Sequence, residues 1–470
     1  MSEPSETTPL IPRAPAVLSK RRIAIFAITL IVSFLSNLAG GILTTSIAVL
    51  YESAICRQIH PDVPDPFRDS VCKEMAVQQK LVTITTVNVA LAAVCGGLVA
   101  VPYGRLADTW GRKWVLVLSI AASVVMHAAQ ISIAWFPNST IPLQFIWLVT
   151  GLATLAGGPF VSFTMLNTMA CDVSTAPQRA VALFVLGSTA MLSNLISPFI
   201  VAAMLRQRIW LSLYIGLGIL VAACITAVFV PESRDEAVTE DSDELILPES
   251  TTNSSPKWFW RLVKEASPNF GDNQVYAAGL FAATACAGFA TTSLGLLAIF
   301  GAIRYQWDFT NVAVIELLQG SIQSGVMLVG LPLCSFFMSR RGIAAPLKDL
   351  WLARGSILAQ AFGVFILGLA TNEPVFIVGV VLSSLGIGSL MALRAAVTNI
   401  TSSKTLAVTN AIVTAVVALS VAVAAIVWFA AFSVHARISL WVGGGLCIVA
   451  LGILSVVRPG ESSQAADEEE

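Results

Sequence analysis

Charge is what this sequence has least of. Only 12% of its 470 residues are Asp, Glu, Lys or Arg, about half the ~25% usual in soluble domains. At ~150 residues per domain the length would suit three soluble domains, but such domains need far more polar surface than this chain can supply. The net charge of -1 excludes a polycation built to hold nucleic acid. Histidine is nearly absent: the three present, His60, His127 and His435, sit in no recognisable catalytic motif. A membrane-embedded enzyme such as an acyltransferase therefore lacks its machinery, and neither a metal nor a cofactor is expected. No G-x-x-x-x-G-K-[ST] loop occurs, which removes an ATP-driven pump. There is no long polar domain of the kind a receptor would use to signal. Eight cysteines are too few for a disulfide scaffold. Six of them (Cys95, Cys171, Cys224, Cys286, Cys334 and Cys447) lie in or beside apolar runs, while Cys56 and Cys72 fall in a polar loop.

What is abundant is apolar sequence, 56% of the residues. A helix that crosses the ~30 Å hydrocarbon core needs about 20 mostly apolar residues. Twelve runs qualify, near 23–50, 81–103, 114–134, 142–170, 180–205, 209–231, 275–300, 310–338, 350–370, 374–396, 405–432 and 438–457. The expected fold is an all-α membrane protein of twelve transmembrane helices in two six-helix bundles. An even number of crossings puts both termini on one side. With that side cytosolic, nineteen of the 27 Lys and Arg residues fall on inner segments, as the positive-inside rule requires.

The domain reading follows from these runs. Residues 1–22 are polar, Pro-rich and without an apolar core, a disordered cytosolic tail and not a cleaved signal peptide. Residues 23–231 form the first bundle and 275–457 the second. The linker 232–274 begins with eight acidic residues against one Arg between Glu232 and Glu249. It continues as Lys257-Trp-Phe-Trp-Arg-Leu-Val-Lys264, whose basic residues recur at helical spacing. That part suits either a short helix on the anionic leaflet or a solvated turn. Residues 458–470 are an acidic cytosolic tail.

The most specific feature is Gly104-Arg-Leu-Ala-Asp-Thr-Trp-Gly-Arg-Lys113, between the second and third helices. Here the chain resembles the major facilitator superfamily, whose signature at this place is G-x-L-a-D-r-x-G-r-k. Gly104, Leu106, Asp108, Gly111, Arg112 and Lys113 match, and Thr109 replaces a frequent Arg. The glycines permit a tight turn. Asp108 is placed to cap the third helix and to pair with Arg112 or a neighbouring basic group. Such a clamp favours one of two conformations, as alternating access requires. Ala170-Cys-Asp-Val173 with Arg179, and Lys348-Asp-Leu-Trp-Leu-Ala-Arg354, look similar to segments of fungal facilitators in particular, a branch whose members are often drug or metabolite exporters. The second half has no copy of the signature, since Arg340-Arg341-Gly342 lacks the acid.

Two departures bear on substrate class. The G-x-x-x-G-P-x-x-G of the family's drug:proton antiporters reads Ser193-Asn-Leu-Ile-Ser197-Pro198-Phe-Ile-Val-Ala202 here, so small residues and a kink survive without the glycines. Trp147 stands near the fourth-helix position where many antiporters have arginine. Resemblance to the family places the substrate cavity between helices one, four, seven and ten. Its polar candidates are Ser33, Asn37 and Thr44; Thr164 and Asn167; Thr284, Thr291 and Thr292; and Ser383 and Ser384. Each hydroxyl serves either a packing bond or a substrate contact; together they favour a polar, uncharged cavity. Glu316 falls about two turns into the eighth helix, with Gln319 and Gln323 after it. It is either a membrane carboxylate able to exchange a proton or a wet group at the outer mouth. His127 reads as a packing histidine.

Outside the membrane, Cys56 and Cys72 face an oxidising space where a disulfide persists. Asn138-Ser-Thr is a glycosylation sequon on the outer side; Asn253-Ser-Ser and Asn399-Ile-Thr fit the pattern but face the cytosol. In the tail, Glu6, Leu10 and Ile11 resemble an acidic dileucine signal that would direct the protein to the vacuolar or endosomal membrane in place of the plasma membrane. The expected function is proton-coupled secondary transport of a small, mostly neutral organic molecule. Efflux of a secondary metabolite or drug leads; uptake of a nutrient or vitamin-like compound is the alternative, as is transport across the vacuolar membrane. The expected partners are that substrate, protons and the lipid bilayer, with the chain a monomer and no nucleic acid bound.

Overall fold

The computed structural model describes residues 20–63, 70–135, 142–205, 209–234, 274–297, 301, 304–305, 307, 309–401, 405–434 and 436–457. Asn138, Glu6, Leu10, Ile11, most of the acidic linker and the 257–264 segment lie outside them. Among the described residues, eleven helices are long and apolar enough to cross a membrane, and a shorter apolar helix ending at Val456 follows them. In chain order the spans are Lys20–Ile59, Met75–Trp110, Arg112–Trp135, Phe145–Asp172, Ala176–Leu205 and Ile209–Val228, then Gln274–Thr292, Phe309–Arg340, Ala345–Leu369, Glu373–Asn399, Leu406–Val434 and Ala436–Val456.

The burial pattern is that of a protein dissolved in lipid. Large apolar side chains such as Val125, Leu152, Phe199, Ile225, Phe362 and Ile426 point outward, while Thr29, Ser46, Thr150, Asn167 and Gln360 are buried. Hydrocarbon solvates the first set, whereas the second set must find its hydrogen bonds inside the bundle. Most hydroxyls do so by donating to the carbonyl one turn back, as Thr29 does to Ile25 O at 2.7 Å.

Several spans are less regular than the hydropathy runs. The fourth breaks between Phe145–Leu155 and Gly158–Asp172, because Gly157 and Gly158 take φ of 127° and 58° before Pro159; L side chains rarely tolerate either angle. The tenth breaks between Glu373–Leu385 and Ser389–Asn399. The eighth carries a π-helical turn at Val326–Gly330. The first helix runs nine residues beyond its apolar stretch, to Ile59. Cys56 is thus not in a loop but buried in the last turns of that helix. It is disulfide-bonded to Cys72 in the 3-10 turn Ser70–Lys73, with Cα atoms 5.2 Å apart.

Spans one to six pack chiefly on one another, as do seven to twelve, and the halves meet where span two lies along span eleven and span five along span eight. At the end of the bundle carrying Lys20 and Val457, here the Lys20 face, the two cores interlock. Ala407 of span eleven joins the first-half core, and Cys171, Ala180, Leu183 and Phe184 join the second-half core.

Candidate functional site

The signature residues build a closed seam at the Lys20 face. Span two ends at Trp110 and span three starts at Arg112, so the whole reversal is made by Gly111 at φ 100°. A methyl group there would lie 2.5 Å from the Glu232 carboxylate. Glu232, just past span six, caps the third helix: its oxygens accept the backbone N–H of Arg112 at 2.9 Å and of Lys113 at 3.2 Å. The expectation that Asp108 caps this helix is corrected. Asp108 is one turn too early, lying 3.6 Å from the Arg112 guanidinium, and its carboxylate accepts a hydrogen bond from the Val408 backbone N–H of span eleven.

Arg112 is 1% exposed. Its main partner is Asp172 at the end of span four, at 2.9 Å, and Ser233 donates to the same carboxylate at 2.8 Å. Arg234 donates to Thr109 O at 3.0 Å. Spans two, three, four and six are thereby tied at one point. Gly104 supplies the close approach, since a methyl group on it would meet Ala411 Cβ at 2.7 Å and Ala407 O at 3.0 Å. Leu106 is half-buried and packs on the first-half core. The Lys113 ammonium lies 5.3 Å from the Trp114 ring.

Two further bonds cross the seam. Arg179 of span five donates to Thr398 O at 2.9 Å, and Lys348 of span nine donates to Pro177 O at 2.6 Å. The second half also has its own clamp, which the missing signature concealed: Asn399, ending span ten, donates to Asp349, near the start of span nine, at 2.7 Å. Below it, Arg394 is 2% exposed, donates to Asn410 Oδ1 and Thr414 Oγ1 at 3.1 Å each, and lies 5.2 Å from the Phe163 ring of span four. Buried charge in the bundle is thus carried by Arg112, Asp172, Lys348, Asp349 and Arg394, and not by Glu316. Its own side chain is exposed, on the face that carries Gly320 against Leu195 of span five.

The cavity candidates divide by how they are bonded. Thr164, Thr284, Ser383 and Ser384 are buried and donate to carbonyls of their own helices. Asn167, also buried, donates to Phe163 O and leaves its Oδ1 unpartnered. Ser33 reaches Thr189 of span five at 2.7 Å, and half-buried Asn37 donates to Ser33 O at 2.7 Å. In the second half, Thr291 meets Gln360 Nε2 at 3.4 Å and Thr292 accepts the Trp428 indole at 2.7 Å. Thr44 is exposed. His127 hydrogen-bonds Ser123 O of its own helix at 2.8 Å.

Two helical halves that share a seam along two helix pairs, with polar bridges gathered at one face of that seam, define a membrane transporter. The chain belongs to the major facilitator superfamily, whose family model matches residues 25–393. It is 25% identical over 438 residues to the MFS efflux pump atnC of Emericella nidulans, covering 88% of this chain and 84% of that one. It is also 25% identical over 379 residues to the MFS-type transporter aprT of Aspergillus flavus, covering 77% and 73%. Among solved structures, the human organic anion transporter MFSD10 (TETRAN) superposes with a TM-score of 0.67 at 12% identity, covering 92% of this chain and 99% of that one. A likeness at that identity carries the fold alone.

Proposed function

We propose that this transporter exports a small, mostly neutral organic molecule by alternating access, coupled to protons, with the Lys20 face in the cytosol. The observation that carries the reading is the placement of the seam bonds. Asp108 to Val408, Arg179 to Thr398 and Lys348 to Pro177 all join the halves at one face. A gate that must open at one face while the other closes needs its polar fastenings gathered in this way. Spans one, four, seven and ten offer hydroxyls and amides, and the buried charges named above cluster near the Lys20 face. The middle of the bundle therefore suits a neutral cargo. Glu316, on the face of span eight turned toward span five, is the candidate proton carrier. The efflux names of the fungal relatives favour the outward direction.

The test has two arms. Metabolites are profiled inside and outside cells that lack or overproduce the protein; a compound that accumulates inside the deletion strain supports export, and one depleted there means import. The compound so identified is then followed in proteoliposomes. Asp108→Asn and Arg112→Ala should each slow its transport at least tenfold, and unchanged rates would sink the gating role. Attachment of a glycan at Asn138 supports the orientation, and one at Asn253 reverses it.

A further inference from the structure

Spans five and eight touch in mid-bundle, where Leu195 lies against Gly320 and Met327 against Gly187. Nearer the Lys20 face they part, and the first turns of span one close the third side. The space left is a crevice of about 570 Å³, within the ~300–1,000 Å³ of small-ligand pockets. We propose that this crevice binds one anionic phospholipid, and that its occupancy holds the seam closed.

The walls and the rim call for different chemistry. Ile23, Phe26, Val181 and Phe336 make the walls apolar, so an alkyl chain is favourable there and water is not. The rim is cationic. Arg22 lines the opening; Arg340 is outside the lining, its guanidinium 4.6 Å from the ring of Phe336, which lines it. The described lining includes no carboxylate. A polar atom inside the lining also lacks its partner: Ser335 is fully buried and its hydroxyl makes no hydrogen bond. Phosphate at the rim and acyl chain within match the cationic edge and the greasy wall together, which neither a neutral lipid nor a free anion does.

The site exists only while the halves are together. Val181 comes from the first half and Phe336 from the second, and Pro177, whose carbonyl takes the Lys348 bond across the seam, also lines the crevice. A ligand that touches both halves in one state and not in the other must favour the first. The proposal rests on the orientation given above only for the leaflet that supplies the lipid, the cytosolic one being rich in anionic headgroups.

The experiment titrates delipidated full-length protein with phosphatidylserine or phosphatidylcholine of matched chains and follows bound lipid by native mass spectrometry. At about 1 kcal/mol per surface arginine, the first phosphatidylserine should bind roughly fivefold tighter for each arginine it engages. Arg22→Gln should lower that preference by one such step. Val181→Trp, which fills the crevice, should remove the first site. With the other five free cysteines replaced, phosphatidylserine should also slow maleimide labelling of Cys171, which is buried among second-half residues. Equal binding of the two lipids, or a preference untouched by both variants, overturns the proposal. So does a preference that appears only after residues 1–19 are deleted, since the tail is then the occupant. Substrate transport is not measured in any arm, so a failure here leaves the export reading intact.

Discussion

Gly104→Ala should weaken the closed seam without harming the fold. The added methyl would sit 2.7 Å from Ala411 Cβ and 3.0 Å from Ala407 O, against the ~3.5–4.0 Å of an unstrained carbon contact. Ala411 Cβ and a helix carbonyl cannot swing aside, so span eleven must back away by the better part of an ångström. Overpacking of this kind costs about 1–3 kcal/mol, and only in the closed state, because opening separates the two helices. A cost of about 2 kcal/mol raises the open population roughly 30-fold. Alanine's higher helix propensity applies equally to both states. The control is Gly97→Ala, two turns along the same face, where the nearest atoms are Leu419 Cγ at 3.3 Å and Ala415 O at 3.4 Å; a shift of about twofold or less is expected there. The chain supplies its own reporter in Cys171, fully buried where the halves meet. With Cys95, Cys224, Cys286, Cys334 and Cys447 replaced and the disulfide kept, the rate of maleimide labelling at Cys171 measures opening. Equal acceleration by the two glycine variants, or none from Gly104→Ala, would refute the reasoning.

Glu232→Ala removes two N–H acceptors from the start of span three and should cost about 1–2 kcal/mol, read as a Tm lower by several degrees; Asp108→Ala leaves that cap in place. Arg112→Leu strands the buried Asp172 carboxylate and should lose about 3–5 kcal/mol. The fraction extracted as a monodisperse species should then collapse, while Arg112→Leu with Asp172→Leu should restore much of it. Replacing Cys56 and Cys72 by Ser opens a loop of 16-residue separation and should lower stability by about 3 kcal/mol. Reductant should lower the wild-type Tm to the same extent and leave the variant unmoved.

The spans were legible because hydropathy is a property of each segment alone, and the signature loop because its spacing is local. Glu232 was not. Averaged with its neighbours it belongs to an acidic linker, and only the meeting of spans three and six in space makes it a helix cap. In sequence Arg394 looks like one more inner positive charge, because a charge at the end of an apolar run looks the same whether it faces water or a neighbouring helix. The break in span four did leave a signal, Gly157-Gly158-Pro159, that hydropathy overrides. For the cavity hydroxyls, composition gives the chemistry but the side-chain rotamer decides the partner. Thr164, Ser384 and Thr292 turn back onto their own helices, Thr292 also accepting the Trp428 indole, whereas Ser33 reaches across to Thr189.

On the gating role proposed above, the division of labour among the charges at the Lys20 face makes the gate both firm and reversible. The ion pairs of Arg112, with Asp108 and Asp172, lie within the first half, and the Asp349–Asn399 bond lies within the second. The three bonds that cross the seam each set a charged side chain against a backbone group, namely Val408 N–H, Thr398 O and Pro177 O. Breaking a buried ion pair costs about 3–5 kcal/mol because a bare charge is left behind. A hydrogen bond to a charged group contributes only about 1.5–3 kcal/mol, and Asp108 released from Val408 still has Arg112 beside it. Opening therefore disturbs the weaker class of bond and leaves Arg112 with Asp108 and Asp172. Binding energy from a small molecule of ordinary affinity, about 8 kcal/mol at a micromolar Kd, is of the size needed to offset three such bonds. A seam fastened by ion pairs would be beyond the reach of its own substrate.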